Sequence, residues 1–212
     1  MKKIIILMCF LCLIFGIISP AVSEESGKGV SLGVNVGAYS IVRYFNSYRF
    51  GGELGYQFTE RIGIMGEFGY ASTTQSYELR SNSYSSSSKM TYSGVPISVT
   101  LLFITPVTKR FSTYVGLGVG HYSITIKEEW TFQSPYYGTD SETETDKIKG
   151  FAPHFTVGIE SEVLNRVIIF GEVKQIVGKT KLEETDEYGY SKEDIHFGGP
   201  EVKIGIRFYF KD

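Results

Sequence analysis

The tripeptide His121-Tyr122-Ser123 sets an imidazole and a hydroxyl two residues apart, the spacing at which this chain could do nucleophilic chemistry. In an extended strand both side chains fall on one face. The imidazole could then take the serine proton, provided a carboxylate held the ring in the right tautomer. Glu128 and Glu129 are the nearby acids, but both fall where the segment turns into a polar loop, so the third partner has no compelling position. His154 shares the lumen-side face of its segment with Thr156, and His196 opens the last apolar stretch. Three histidines so scattered, with no thiol near them, do not make a metal site, and their plainer reading is structural hydrogen bonding. The acidic runs at 140–146 and 183–187 could hold divalent cations, but such runs are commonly just solvated. Phosphate-cradling and dinucleotide loops need a helix behind their glycines, and every Gly here fits a strand or a turn. No cofactor and no metal are expected.

A second set of charges has a different character. Glu53, Glu67, Glu160, Glu172, Lys174, Lys203 and Arg207 each sit inside an otherwise apolar segment that alternates with period two. GVSLGVNVGAY (29–39) places Val30, Leu32, Val34 and Val36 against Ser31, Gly33, Asn35 and Gly37. FGGELGYQF (50–58) and RIGIMGEFGYAS (61–72) follow, split by a short turn and carrying Glu53 and Glu67 on their polar sides. YSGVPISVTLLF (92–103) and FSTYVGLGVGHYSITI (111–126) set Val and Leu against Ser, Thr and Gly. FAPHFTVGIESEV (151–163), RVIIFGEVKQIV (166–177) and EVKIGIRFYF (201–210) complete eight such stretches. Side chains alternate faces along a strand, so each segment has one greasy and one polar side. The connections alternate too. Those after the second, fourth and sixth strands are short; those after the third, fifth and seventh are long, Ser-rich or acidic. The connection over 43–49 is intermediate.

The N-terminus has its own logic. Lys2 and Lys3 precede the apolar run 4–18, and Ala21-Val22-Ser23 supplies small residues for a cut after Ser23. This is the layout of a secretory signal peptide, and the apolar run falls short of the roughly 20 residues a spanning helix needs. Residues 1–23 are read as a cleaved signal and 24–212 as one domain. Both cysteines, Cys9 and Cys12, go with the signal, which removes disulfides and thiolate metal sites together. Lys and Arg number 21 against 23 Asp and Glu, and the signal takes two of the lysines. The slightly acidic remainder gives no footprint for nucleic acid.

Two arrangements satisfy eight alternating strands. A soluble carrier of lipocalin type would turn the apolar faces inward around a ligand. A membrane barrel would turn them to lipid and line its lumen with the polar faces. The second is preferred. The faces opposite Val115, Leu117 and Val119 carry Gly116, Gly118 and Gly120, and a narrow eight-strand interior has room only for packed side chains. Aromatic residues gather at strand ends: Phe58, Phe103, Phe111, Phe208 and Phe210 near the short turns, and Tyr39, Tyr70, Tyr92, Tyr122 and Trp130 towards the loops. Both groups are read as interfacial girdles. Isolated buried carboxylates are costly, so the lumen glutamates are expected to pair with Lys174, Lys203 and Arg207 and fill the barrel with ion pairs.

At this point the chain resembles the small eight-stranded OmpA/OmpX-type outer-membrane proteins of Gram-negative bacteria. Lys203-x-Gly205-x-x-Phe208-x-Phe210 is similar to that family's C-terminal assembly signal, except that Lys211 and Asp212 follow the final aromatic. YVGLGVGHYS is similar to its glycine-rich strand. The resemblance implies an all-β, antiparallel up-and-down transmembrane barrel in the bacterial outer membrane, with both termini periplasmic and four loops outside. Its surroundings would be outer-membrane lipid and lipopolysaccharide, and the barrel-insertion machinery would read its last strand. The expected role is structural or surface-interacting, with the partner of the loops left open. His121 and Ser123 also resemble the His-x-Ser of a barrel lipid A deacylase, which gives the alternative of a lipid-active enzyme.

Overall fold

The computed structural model describes residues 29–42, 45–81, 84–134, 136, 138–186 and 189–211; the expected signal peptide at 1–23 lies outside them. Ten strands follow in chain order: β1 (Gly29–Val42), β2 (Phe45–Thr59), β3 (Ile62–Ser81), β4 (Tyr84–Pro106), β5 (Phe111–Ser134), β6 (Gly138–Leu164), β7 (Val167–Ile176), β8 (Gly178–Asp186), β9 (Gly189–Phe197) and β10 (Pro200–Lys211). Eight of them close a barrel in the order β1-β10-β7-β6-β5-β4-β3-β2, while β8 and β9 form a separate two-stranded sheet. The barrel ladders are antiparallel, and closure comes from β1 pairing β10, with Val34 opposite Ile206. Closure leaves no open edge within the ring, which is what a lipid environment demands of a sheet.

The alternation read from the sequence sets the two faces. Leu32, Leu117 and Ile204 are 53 %, 61 % and 62 % exposed on the outside, whereas Glu67, Lys203 and Arg207 are 4 %, 1 % and 2 % exposed within. Phe58, Phe103, Phe208 and Phe210 ring the outside at the short-turn end.

The structure corrects the extent of the strands. The polar stretches on either side of residues 82–83 and 135–137, expected as long loops, are ladders: β3 and β4 stay paired to Ser81–Tyr84, and β5 and β6 to Ser134–Gly138. Unbroken register over 24 residues at about 3.4 Å each is roughly 80 Å of strand, or about 60 Å along the axis at the usual tilt, against an apolar band of about 25 Å. Strands β3 to β6 therefore rise well beyond the rest of the barrel as a four-stranded blade. Ser and Thr carried the segments as strands where turn residues had been the expectation; Thr is a good strand former, and each segment had a partner of equal length. The last long segment is likewise a hairpin, β8–β9, and the acidic run 183–187 falls largely within it.

Candidate functional site

The lumen is filled in three layers. Towards the short turns, Met65, Leu102, Ile104 and Tyr114 form an apolar floor. Towards the blade, Tyr39, Tyr92, Tyr122, Ile124, Ile148, Ile176 and Phe197 pack with Ala71 and Ala152 into a second cluster. Between them lie the charges.

Arg207 on β10 donates from Nε to Glu53 Oε1 at 2.6 Å and from Nη1 to Glu160 Oε2 at 2.9 Å, so one guanidinium joins β2 to β6 across the barrel. Its flat face covers the ring of Phe170, 4.5 Å from the centroid. Such a site uses the planar fork and the stacking surface together, which an ammonium cannot reproduce. Higher up, Lys174 and Lys203 both bind Glu67, and Lys203 Nζ also lies 2.9 Å from Glu172 Oε1. Tyr114 donates to Glu172 at 3.0 Å, Ser98 to Glu67 at 3.2 Å, and Asn35 Nδ2 to Glu53 at 3.5 Å. All seven residues that the sequence pointed to lie in this layer.

Two members were missed. Arg49 pairs with Glu201 and lies 4.0 Å from Glu67. Arg49 falls in the intermediate connection over 43–49, yet it shares parity with Gly51 and Glu53, so the second strand's alternation extended backwards reaches it. Glu201 stood on the polar side of the last strand without an assigned partner. Its partner is on β2, one strand beyond the neighbouring β1, which only closure of the ring reveals.

Small residues make this packing fit. A Cβ on Gly205 would stand 2.5 Å from the Phe170 ring and 2.4 Å from the Val34 carbonyl oxygen. One on Gly158 would stand 2.1 Å from the Tyr114 ring. The glycine of the C-terminal pattern thus makes room for the ring beneath Arg207, while Phe208 and Phe210 face outward and Lys203 inward.

The expected aromatic girdle at the loop end is corrected. Tyr39, Tyr92 and Tyr122 are 2 %, 5 % and 2 % exposed and point into the lumen, where Tyr39 and Tyr122 stack at 6.5 Å. Tyr70 is exposed on the outer face, whereas Trp130, though exposed, shares the parity of Tyr122 and lies on the inner face of the blade. Proximity to a strand end does not choose a face; parity does, and these three tyrosines share parity with the glycines and polar groups.

His121 and Ser123 do share a face, the outer one, continuing the line of Leu117 and Val119. The His121 ring packs edge-on against Phe151 with centroids 5.1 Å apart. The two nearby acids lie in β5 and not in a loop, and both are engaged elsewhere: Glu128 accepts from Ser88, and Glu129 pairs with Lys127 at 2.5 Å and Lys89 at 3.3 Å. His154 is buried in the lumen with Nε2 2.8 Å from Thr100 Oγ1. His196 falls in β9.

At the short-turn end a cavity of about 310 Å³ opens beneath the floor, lined by Lys109, Arg110 and Arg166 together with Glu60, Glu160 and Glu162. Its charges are balanced, Ile104 and Ile168 add apolar lining, and Glu160 is also the partner of Arg207 in the ionic layer.

The sequence matches the outer membrane protein beta-barrel domain family over residues 8–208. No curated protein matches it in sequence. Among solved structures, the outer membrane protein OprG from Pseudomonas aeruginosa superposes with a TM-score of 0.56 at 14 % identity, over 90 % of this chain and 99 % of that one. Neisserial surface protein A gives 0.51 at 10 % identity, over 89 % and 100 %. The N-terminal barrel domain of Pseudomonas aeruginosa OprF gives 0.50 at 15 %, over 87 % and 100 %.

Proposed function

We propose, from the premise that this chain belongs to the outer membrane protein beta-barrel domain family, that it is a non-enzymatic protein of the bacterial outer membrane. In this reading the barrel is a closed anchor, the short turns face the periplasm, and the blade is displayed outside for contact with other molecules. The observation that carries it is the filled lumen: ion pairs spanning the barrel, with an apolar cluster above and another below, make packing and not passage the use of the interior. Residues 1–23 serve as the export signal, and Lys203, Gly205, Phe208 and Phe210 as the strand read by the insertion machinery. Outside the barrel, Lys89, Lys127, Lys147 and Lys149 lie on the outward face of the blade, suited to the phosphates of lipopolysaccharide.

The test has two arms. Cells displaying the intact protein should adhere to protein-coated surfaces. Trimming the β3–β4 and β5–β6 hairpins back to the rim should abolish that adhesion while leaving heat-modifiable gel mobility intact; adhesion that survives the trimming overturns the reading. In planar bilayers the protein should pass no steady current, and a conductance altered by Arg207→Ala would identify a pore instead. The enzymatic alternative draws on His121 and Ser123 sharing an outer face. It predicts a deacylated lipid A species in the mass spectrum that disappears with His121→Ala or Ser123→Ala.

A further inference from the structure

Among the described residues, β6 is paired along only one side between residues 138 and 152, although β8 comes close to it near its lower end. From residue 138 to 152 the strand pairs with β5 along one side, and β7 takes up the other side only from His154. β8 begins beside Pro153, whose carbonyl accepts the Val177 N–H, and then pairs with β9 in a sheet of its own. Among the described residues, no ladder occupies this edge. A long row of unpaired backbone donors and acceptors is a template for an incoming strand.

The side chains along the edge are sorted by sign. The β5–β6 register runs without a bulge, so Asp140, Glu142, Glu144 and Asp146 continue the inner face on which Ile148 is buried. Every lysine of the described blade, at 89, 127, 147 and 149, is on the opposite face by the same alternation. One strand in from the edge, Phe132 and Trp130 lie directly across from Asp140 and Glu142. Their rings stack on each other at 6.0 Å, and Tyr84 stacks on Phe132, also at 6.0 Å. The edge therefore presents backbone hydrogen bonds, an acidic row and an aromatic row together.

We propose that residues 138–146 accept an extended basic segment of another protein as an added strand, with Lys or Arg at every second position facing Asp140, Glu142, Glu144 and Asp146. This rests on the surface-contact reading above and narrows it to one edge and one class of partner. Same-face carboxylates on a strand recur about every 7 Å, the repeat of alternate side chains on a neighbouring strand. That spacing is too wide for the six to eight oxygens at about 2.3–2.6 Å that a calcium ion gathers, and among the described residues no metal-ligating group of three converges. A second copy of this chain on the same edge would set carboxylate against carboxylate, and directly opposed like charges are destabilising. Arginine fits better than lysine, because its guanidinium can pair with a carboxylate and stack on the Trp130 and Phe132 rings.

The experiment uses the full mature chain folded in detergent micelles and a labelled ten-residue peptide alternating Arg and Thr, with binding read by fluorescence anisotropy. Glu142→Lys combined with Glu144→Lys, both at exposed positions, should weaken binding at least tenfold with gel mobility unchanged. Two further peptides, N-methylated on the Arg or on the Thr backbone nitrogens, should separate: the set whose N–H groups face β6 loses binding and the other keeps it. Equal binding by the two methylated peptides overturns strand addition, and unchanged binding to the charge-reversed protein overturns the site. If hairpin trimming abolishes adhesion while the charge reversal leaves peptide binding intact, the inference falls and the proposed function stands. If adhesion survives trimming, the proposed function falls whatever the peptide does.

Discussion

Leu117 and Thr131 lie on the same strand and the same face, yet they live in different solvents. Leu117 belongs to the band of apolar residues that wraps the closed ring, and Thr131 to the blade beyond it. Below the rim, the inner face of β3 to β6 is buried against ions and rings; above it, the same faces are open and carry Trp130, Phe132 and the acidic row. Alternation continues without interruption across this boundary. The difference teaches that the period of the sequence fixes which side chains share a face, while the surroundings decide what each face is for.

The largest expected effect falls on the ionic layer. Arg207→Ala leaves Glu53 and Glu160 buried without their counter-charge and should cost about 3–5 kcal/mol, read as a lower urea midpoint of the folded gel band. Arg207→Lys should recover part of this, since it restores the charge but not the fork. Next comes a direct test of the boundary. Leu117→Arg puts a cation into the lipid-facing band and should cost about 2–4 kcal/mol, whereas Thr131→Arg on the same face of the blade should stay within about 0.5 kcal/mol. Equal costs at the two positions would erase the distinction between ring and blade.

Smaller effects sharpen the comparison. Gly205→Ala drives a methyl group towards the Phe170 ring and the Val34 carbonyl and should cost about 1–3 kcal/mol in the same titration. Phe132→Ala removes two ring stacks from the blade; it should lower blade stability by about 0.5–1.5 kcal/mol, seen as faster amide exchange there with the ring unaffected. The smallest is electrostatic. Hydrogen bonds from Lys127 and then Lys89 hold the Glu129 carboxyl below its ordinary value. Because that folded-state value is depressed, the stabilisation is present above the ordinary carboxylate range and disappears as pH falls through the lowered value. Amide exchange near Glu129 should therefore quicken on acidification, and Glu129→Gln should remove that response.

Much of the ring was legible in the sequence because its two faces differ so sharply. Val30, Leu32, Val34 and Val36 against Ser31, Gly33 and Asn35 leave no ambiguity of parity, and the seven charged residues stood on the polar parity of their strands. The blade was not legible. Its segments are mostly polar, with only a few rings such as Tyr84, Trp130 and Phe132 among Ser, Thr and acidic residues, so hydrophobic alternation fades, and Ser-rich sequence reads as a turn until a partner strand is known to lie beside it. Arg49 lies one residue before the apolar segment that begins at Phe50, although its parity with Glu53 and the outward Tyr48 and Phe50 mark it as inward-facing. Tyr39, Tyr92 and Tyr122 were placed by position along the strand when parity should have decided.

The sequence by itself determined the number of strands in the ring, their alternation and the set of charges that had to meet inside, because a side chain's face follows from counting along an extended backbone. Only the tertiary structure decided who pairs with whom. Arg207 joins β2 and β6, Lys174 and Lys203 share Glu67, and Arg49 finds Glu201, since these contacts run across a closed ring between residues far apart in the chain. It also decided where the barrel ends and the blade begins: that boundary depends on which strands lose a neighbour, a property of the assembled sheet that no single strand carries.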